Sequence, residues 1–145
     1  MLRDEILAKV PPGVRSGRDA QAIADVLNVG RTRIVSRTVT ERDILAEYAD
    51  GPIAGDAVLR KIEAFSESAH PLASVVRRAV GWLTPGVGID IGHASTRALI
   101  DQLAAGGVIT TDEAGKLEAL AVIPDSVSEL DVRRAIWSDD GAYTV

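Results

Sequence analysis

The chain has 145 residues and a net charge of −5, with 46% hydrophobic and 26% charged residues, a composition typical of globular proteins. It contains no cysteine, which excludes a disulfide framework, a catalytic thiol and a thiolate zinc site. No apolar run approaches the roughly 20 residues of a membrane-spanning helix, and the first residues are charged rather than signal-like. We therefore expect no membrane partner, and the acidic balance makes a nucleic-acid partner unlikely as well.

Hydrophobic periodicity and helix-breaking residues predict three helices in the first third of the chain. The first covers about 2–10 and is stopped by Pro-Pro-Gly at 11–13. The second covers about 19–27 and ends before a glycine. The β-branched residues of 32–39 favour an extended segment. A third helix is then predicted over about 41–49, where Asp-Gly-Pro ends it.

The rest of the chain is also mainly helical in pattern. Residues 84–88 form a loop between helices, and Gly106-Gly107 ends another helix. Residues 138–145 have no helical pattern. We therefore predict a single helical domain over 1–137 and an extended C-terminal tail over 138–145. The further helices are predicted over about 56–69, 71–83, 95–105, 112–121 and 129–137.

A similar seven-residue phrase occurs at 38–44 and at 126–132, each time just before a helical stretch. Each copy contains a hydroxyl residue followed three positions later by an acid, the pattern of a helix N-cap. An acid in the first turn also suits the positive end of the helix dipole. The cap residues are Thr40 and Ser128, and the acids are Asp43 and Asp131.

The segments that precede these two helices are both strand-like, and we expect them to pair. The predicted fold class is therefore mainly α: a compact bundle of about six to eight short helices with a small two-stranded β element, formed by about 32–39 with 121–127. A ribbon of two strands is marginally stable alone, so it would depend on the helices.

Residues 21–37 also resemble a helix-turn-helix, with Ala24 at the helix crossing and Ile34 as the buried anchor of a recognition helix. In this alternative the protein is a DNA-binding regulator. The competing interpretation is a strand after Gly30, favoured by the β-branched residues from Ile34 onward. The side chains that would face DNA are those of Arg31, Arg33 and Arg37.

Few residues have a pattern that indicates chemistry. Asp90 and Gly92 resemble the first phosphate loop of the actin and sugar-kinase ATPases, but a loop precedes them where that family has a strand. His70 and His93 lie beside helix starts without a partner at ligand spacing, and Asp139-Asp140 is expected to be solvated surface. We therefore predict that the protein is not an enzyme, with no catalytic, cofactor-binding or metal-binding residues.

The order of landmarks carries a resemblance over most of the chain, from about Asp19 to Ile136. The helix at 19–28 is followed by an extended segment, and the stretch 103–114, Leu-Ala-Ala-Gly-Gly-Val-Ile-Thr-Thr-Asp-Glu-Ala, precedes Leu117–Leu120 and a serine-containing turn. These features resemble small helical proteins encoded among the structural genes of tailed bacteriophages. The resemblance implies a non-enzymatic structural or assembly component of the head, neck, tail or fibre. Such a protein is located in the virion, and in the host cytoplasm during assembly.

The expected partners are other virion proteins or a second copy of the chain. The tail could add a strand to a neighbour's sheet. Both tryptophans, Trp82 and Trp137, close amphipathic helices, and we expect them to be buried, with an interface role as the alternative. The predicted partner interface consists of Trp137, Tyr143 and Val145.

Overall fold

The computed structural model describes residues 1–138 and 141–145, which form nine α-helices and two two-stranded β-sheets. Helices account for 59% of the structure, so the predicted mainly α fold with a small β element is confirmed. The Asp139-Asp140 pair lies outside the described residues. The chain divides into two compact units: unit 1 comprises Met1–Arg33 with Ile123–Val145, and unit 2 comprises Ile34–Val122. The prediction from the sequence is a single domain over 1–137 with a tail over 138–145.

Unit 1 combines the two ends of the chain. Helix α9 packs against α3 and α1, and its buried Val132 and Ile136 share a core with Ile6 and Ile23. The carboxylate of Asp19 caps α3 by accepting hydrogen bonds from the backbone N–H groups of the first turn. The helices of this unit are α1 (Leu2–Lys9), α2 (Pro12–Ser16), α3 (Ala20–Asn28) and α9 (Glu129–Ile136).

Unit 2 is built from one continuous segment. Helix α5 packs against α4 and α6, while α7 packs against α8. Its core is larger than that of unit 1 and includes Val39, Ile44, Val58 and Val76. The helices are α4 (Glu41–Glu47), α5 (Pro52–Ser66), α6 (Ala73–Gly81), α7 (Ala94–Ala105) and α8 (Thr111–Glu118), followed by a 3₁₀ turn (Ala119–Ala121).

The predicted β element is correct in its first part only. Strand β1 (Thr32–Ile34) pairs with β4 (Val122–Pro124), but β2 (Thr38–Val39) pairs antiparallel with β3 (Ile89–Asp90). The chain enters β3 through Gly88, whose φ of +77° favours glycine. A Cβ on this residue would lie 2.5 Å from Thr38 Cγ2, so only glycine permits the close approach.

Two helices begin at prolines that the sequence predicts to be the ends of helices. Helix α2, which is not predicted, begins at Pro12, and α5 begins at Pro52 instead of at about 56. Proline suits the first helical position because the N–H that it lacks would have no helical partner there. The residues after both prolines therefore continue as helix.

Both copies of the repeated phrase form reciprocal capping boxes. Asp43 N donates to Thr40 Oγ1 at 3.4 Å while Asp43 Oδ2 accepts from Thr40 N at 2.8 Å. Asp131 N donates to Ser128 Oγ at 3.1 Å, and Ser128 N donates to Asp131 Oδ2 at 3.0 Å. A third box, between Thr110 and Glu113, starts α8. The predicted caps are confirmed.

Candidate interaction surfaces

Two of the predicted interface residues, Trp137 and Tyr143, meet in unit 1. Their ring centroids are 5.2 Å apart in an edge-to-face arrangement, and the guanidinium of Arg18 lies 5.0 Å from the Tyr143 ring centroid. The Tyr143 hydroxyl donates to the carbonyl oxygen of Arg15. Val145 packs, partly buried, against the core of the same unit. Trp137 remains 37% exposed, so the expectation that it is buried is wrong.

The backbone of the terminal segment 141–145 turns back against its own unit. Gly141 has a φ of +82°, and Trp137 and Tyr143 form an isolated antiparallel bridge. Thr144 N donates to Ile136 O at 2.7 Å, and Arg3 Nη2 donates to Thr144 O at 2.8 Å. These hydrogen bonds hold the tail against its own unit.

The three arginines of the DNA-binding alternative are engaged by acids or carbonyl groups. Arg31 Nε donates to Asp125 Oδ2 at 3.2 Å, and its Nη1 donates to Glu5 Oε1. The bond from Arg31 lowers the pKa of the Glu5 carboxyl. Arg33 Nε lies 3.8 Å from Asp125 Oδ1. The guanidinium of Arg37 pairs with Glu47 and donates to Leu120 O.

The backbone of this segment also differs from the helix-turn-helix hypothesis. Residues 32–34 and 38–39 are strands, so the recognition helix that would present Arg31, Arg33 and Arg37 to a DNA groove is not formed. The β-branched side chains between Ile34 and Thr40 favour this extended backbone because their χ1 rotation is restricted in a helix. The strand interpretation of the sequence is therefore the correct one.

The Asp90-Ile-Gly92 segment has a structural role. Asp90 Oδ2 accepts from Ser36 Oγ at 2.6 Å, while Oδ1 accepts from Arg37 N and Gly92 N, both at 2.9 Å. These bonds, the Ser36 bond first, hold the pKa of Asp90 below its usual range. A Cβ on Gly92 would lie 1.8 Å from the Val35 carbonyl oxygen. Both residues thus fix the approach of two backbone segments.

The two histidines act at helix starts, as their positions in the sequence indicate. His93 Nδ1 accepts from Ser95 N at 3.1 Å and caps α7, and His70 Nδ1 accepts from Leu72 N at 3.1 Å. Within residues 1–138 and 141–145, no group of three or more His, Cys, Asp or Glu side chains is placed to hold a metal ion. In the same ranges, no helix is long and apolar enough to cross a membrane.

An open apolar groove of about 670 Å³ lies between α6 and α7 in unit 2, and sequence reasoning missed it. On the α6 side its walls include Val75 and Trp82, which are 51% and 56% exposed. Trp82 was expected to be buried, and that expectation is wrong. Arg78 is the one charged residue in the lining of this α6–α7 groove. The other lining residues are Leu72, Ser74, Ala79, Ile89, Ser95, Thr96, Ala98, Leu99 and Gln102.

Part of the floor of the α6–α7 groove also lines a second, smaller pocket. Ala79, Ile89, Thr96 and Leu99 line both the groove and this pocket of about 70 Å³ in unit 2. The pocket is surrounded mainly by aliphatic side chains, so the floor of the groove is apolar as well.

A second apolar stripe on α6 is the sequence signal that could have revealed the groove. Leu72, Val75, Ala79 and Trp82 recur at helical spacing beside the inward-facing stripe that contains Val76. When a helix has two apolar faces and packs one of them in its own core, the other face is left for a partner.

Comparison with known proteins adds no further indication of function. No family model, no curated protein and no solved structure matches the chain.

Proposed function

We propose that the protein is a non-enzymatic structural or assembly component of a tailed-phage particle and acts through protein–protein contacts. The resemblance of residues 19–136 to phage-encoded helical proteins supports the phage assignment. Its place would then be the virion, and the host cytoplasm during assembly. Its partners would be other virion proteins or further copies of itself.

The observation that carries the protein–protein role is the exposure of Trp82 in the α6–α7 groove. More than half of this side chain is accessible, beside the equally accessible Val75. Contiguous exposed apolar surface is typical of interaction sites, and tryptophan is enriched among the residues that dominate binding energy. Trp137 and Tyr143 offer a second aromatic surface on unit 1.

Quantitative mass spectrometry of purified phage particles tests the proposal. We expect the chain at a fixed ratio to the major capsid protein after gradient purification, whereas a host cytoplasmic protein of similar abundance serves as the contamination control. An assembly component could leave before maturation, so assembly intermediates are measured in parallel. Absence from both particles and intermediates would refute the proposed function.

A further inference from the structure

We propose that the α6–α7 groove of one copy binds the exposed face of helix α1 of a second copy. This inference rests on the proposed protein–protein function and identifies the partner of the α6–α7 groove as a second copy of the chain. The groove offers apolar walls at Val75 and Trp82, a largely apolar floor and one charged residue, Arg78. Its occupant should therefore present an apolar side chain together with a carboxylate.

The simplest alternative is a contact in which the grooves of two copies face each other, and the charge of Arg78 disfavours it. The guanidinium of Arg78 makes no ion pair or hydrogen bond with the described residues of its own chain. A symmetric groove-to-groove contact would bring two such groups together, and like charges at an interface are destabilising. The occupant must come from a different surface of the second copy.

Three helices outside the groove expose a large aliphatic side chain: Leu7 on α1, Ile53 on α5 and Leu130 on α9. One turn after Leu130, α9 carries arginines, which would repel Arg78. One turn after Ile53, the carboxylate of Asp56 is already paired with Arg60. Neither helix offers Arg78 an available carboxylate beside the apolar side chain.

Helix α1 meets both requirements, since the one arginine a turn from Leu7, Arg3, is held by the carbonyl oxygen of Thr144. Asp4 precedes Leu7 by three residues, so the two side chains share a face of the helix. The Asp4 side chain is 71% exposed, and its ion-pair partner among the described residues is the amino group of Met1, at 3.8 Å. Ile6, on the opposite face, is buried in unit 1 and leaves the Asp4–Leu7 face outward. In the complex Leu7 inserts between Val75 and Trp82, and Asp4 pairs with Arg78.

Such a contact joins two different surfaces of the chain. Two copies can make it reciprocally and close as a symmetric dimer, or each copy can bind a further copy in a ring or filament. In every case the fraction of associated chain rises with concentration.

Charge exchange in the full-length protein tests the pairing, with association measured by sedimentation velocity across a wide concentration range. Arg78→Glu and Asp4→Arg should each weaken association by about tenfold or more, because each places like charges opposite one another. The double variant should regain most of the wild-type association. Ile53→Asp, which alters an exposed apolar residue outside both surfaces, is the control and should associate as the wild type does.

Circular dichroism and thermal unfolding of each variant show that a loss of association is not a loss of fold. A wild-type chain that stays monomeric at every concentration, or a double variant without recovery, would overturn the inference. If the chain were present in phage particles without contacting a second copy, this inference would be wrong and the proposed function would still hold.

Discussion

Units 1 and 2 start one helix each with the same sequence phrase, yet they are assembled from the chain in different ways. Unit 2 is continuous from Ile34 to Val122, and its helices pack mainly on their neighbours in sequence. Unit 1 joins α1 and α3 from the beginning of the chain to α9 from its end. Closing a long loop costs more conformational entropy than a local contact, so unit 1 should form after unit 2.

The two copies of the phrase show which structural features are determined by neighbouring residues in the sequence. In both, an aliphatic residue before the cap and another four residues after it are buried, the arrangement of a hydrophobic staple. Val39 lies in β2 and pairs with β3, whereas the backbone of Val127 exchanges hydrogen bonds with the side chain of Asn28. The phrase determines the helix start, and the surrounding unit determines the partner of the segment before it.

The largest effect that separates the units is expected from matched core truncations, Ile136→Ala in unit 1 and Ile44→Ala in unit 2. Both side chains are buried, so each truncation should lower the free energy of unfolding by about 2–5 kcal/mol. Hydrogen exchange followed by mass spectrometry should show faster exchange in α1, α3 and α9 for Ile136→Ala. For Ile44→Ala the increase should be in α4 to α8.

The conservative variant Ile136→Val serves as the control and should lower the free energy of unfolding by about 0.5–1.5 kcal/mol, with the same regional pattern. Equal acceleration across both units in either truncation would contradict the division into two cooperative units.

A smaller loss is expected from Gly92→Ala, which tests the approach of the 35–37 segment to β3 within unit 2. The new Cβ would lie 1.8 Å from the Val35 carbonyl oxygen, so the backbone must separate, at a cost of about 1–3 kcal/mol in unfolding free energy. Gly115→Ala is the matched control, because its Cβ meets nothing within 4 Å in α8. It should stabilise the protein by about 0.5–1 kcal/mol in chemical denaturation. Equal effects of the two changes would argue against the close approach.

Removal of the cap hydroxyls compares the two copies of the phrase directly. Thr40→Ala and Ser128→Ala should each lower the free energy of unfolding by about 1 kcal/mol, because a first-turn N–H loses its acceptor. Chemical denaturation measures both, and Thr40→Ser and Ser128→Thr, which keep the hydroxyl, should stay near the wild type. A large loss of stability at one cap with none at the other would show that the two copies, although similar in sequence, do not stabilise their helices equally.

The sequence is sufficient for those features that depend on a few neighbouring residues. The caps at Thr40 and Ser128 and the extended backbone after Gly30 follow from side-chain chemistry within one turn or strand. Helix α2 and the early start of α5 are missed because proline both ends and begins helices, and only the following residues decide which. The partner of β2 is missed because β3 has just two residues.

The candidate surface is harder to predict because exposure depends on the spacing between helices. Trp82 ends an amphipathic helix and would be buried if α7 packed directly on α6, but a groove separates them. The paired Trp137 and Tyr143 are predicted as an interface from their place near the terminus, and the structure brings their rings together. Whether a partner covers them stays a prediction.

The smallest effects on stability are expected from two carboxyl groups, Asp131 in unit 1 and Glu118 in unit 2. Their contributions to stability should change with pH in opposite directions. Hydrogen bonds from the Ser128 hydroxyl and backbone N–H lower the pKa of Asp131. Its ionised form therefore stabilises unit 1 above the usual pKa, and this stabilisation is lost as pH falls through the lowered value. Burial, followed by the neighbouring Asp101, raises the pKa of Glu118. Stability from this group is present below its usual pKa and is lost as pH rises through the raised value.

Asp131→Asn should therefore melt below the wild type at about pH 7, and the difference should shrink as pH falls below the usual pKa of aspartate. Glu118→Gln should melt above the wild type at about pH 7 and converge with it in acid. Thermal unfolding as a function of pH measures both differences, and comparison with the wild type at each pH cancels the titration of every other group. Because Asp101 and Glu118 lie on the paired helices α7 and α8, Asp101→Asn should raise the melting temperature in the same direction as Glu118→Gln. If Asp131→Asn and Glu118→Gln shifted with pH in the same direction, the assigned cause of one of the two pKa shifts would be wrong.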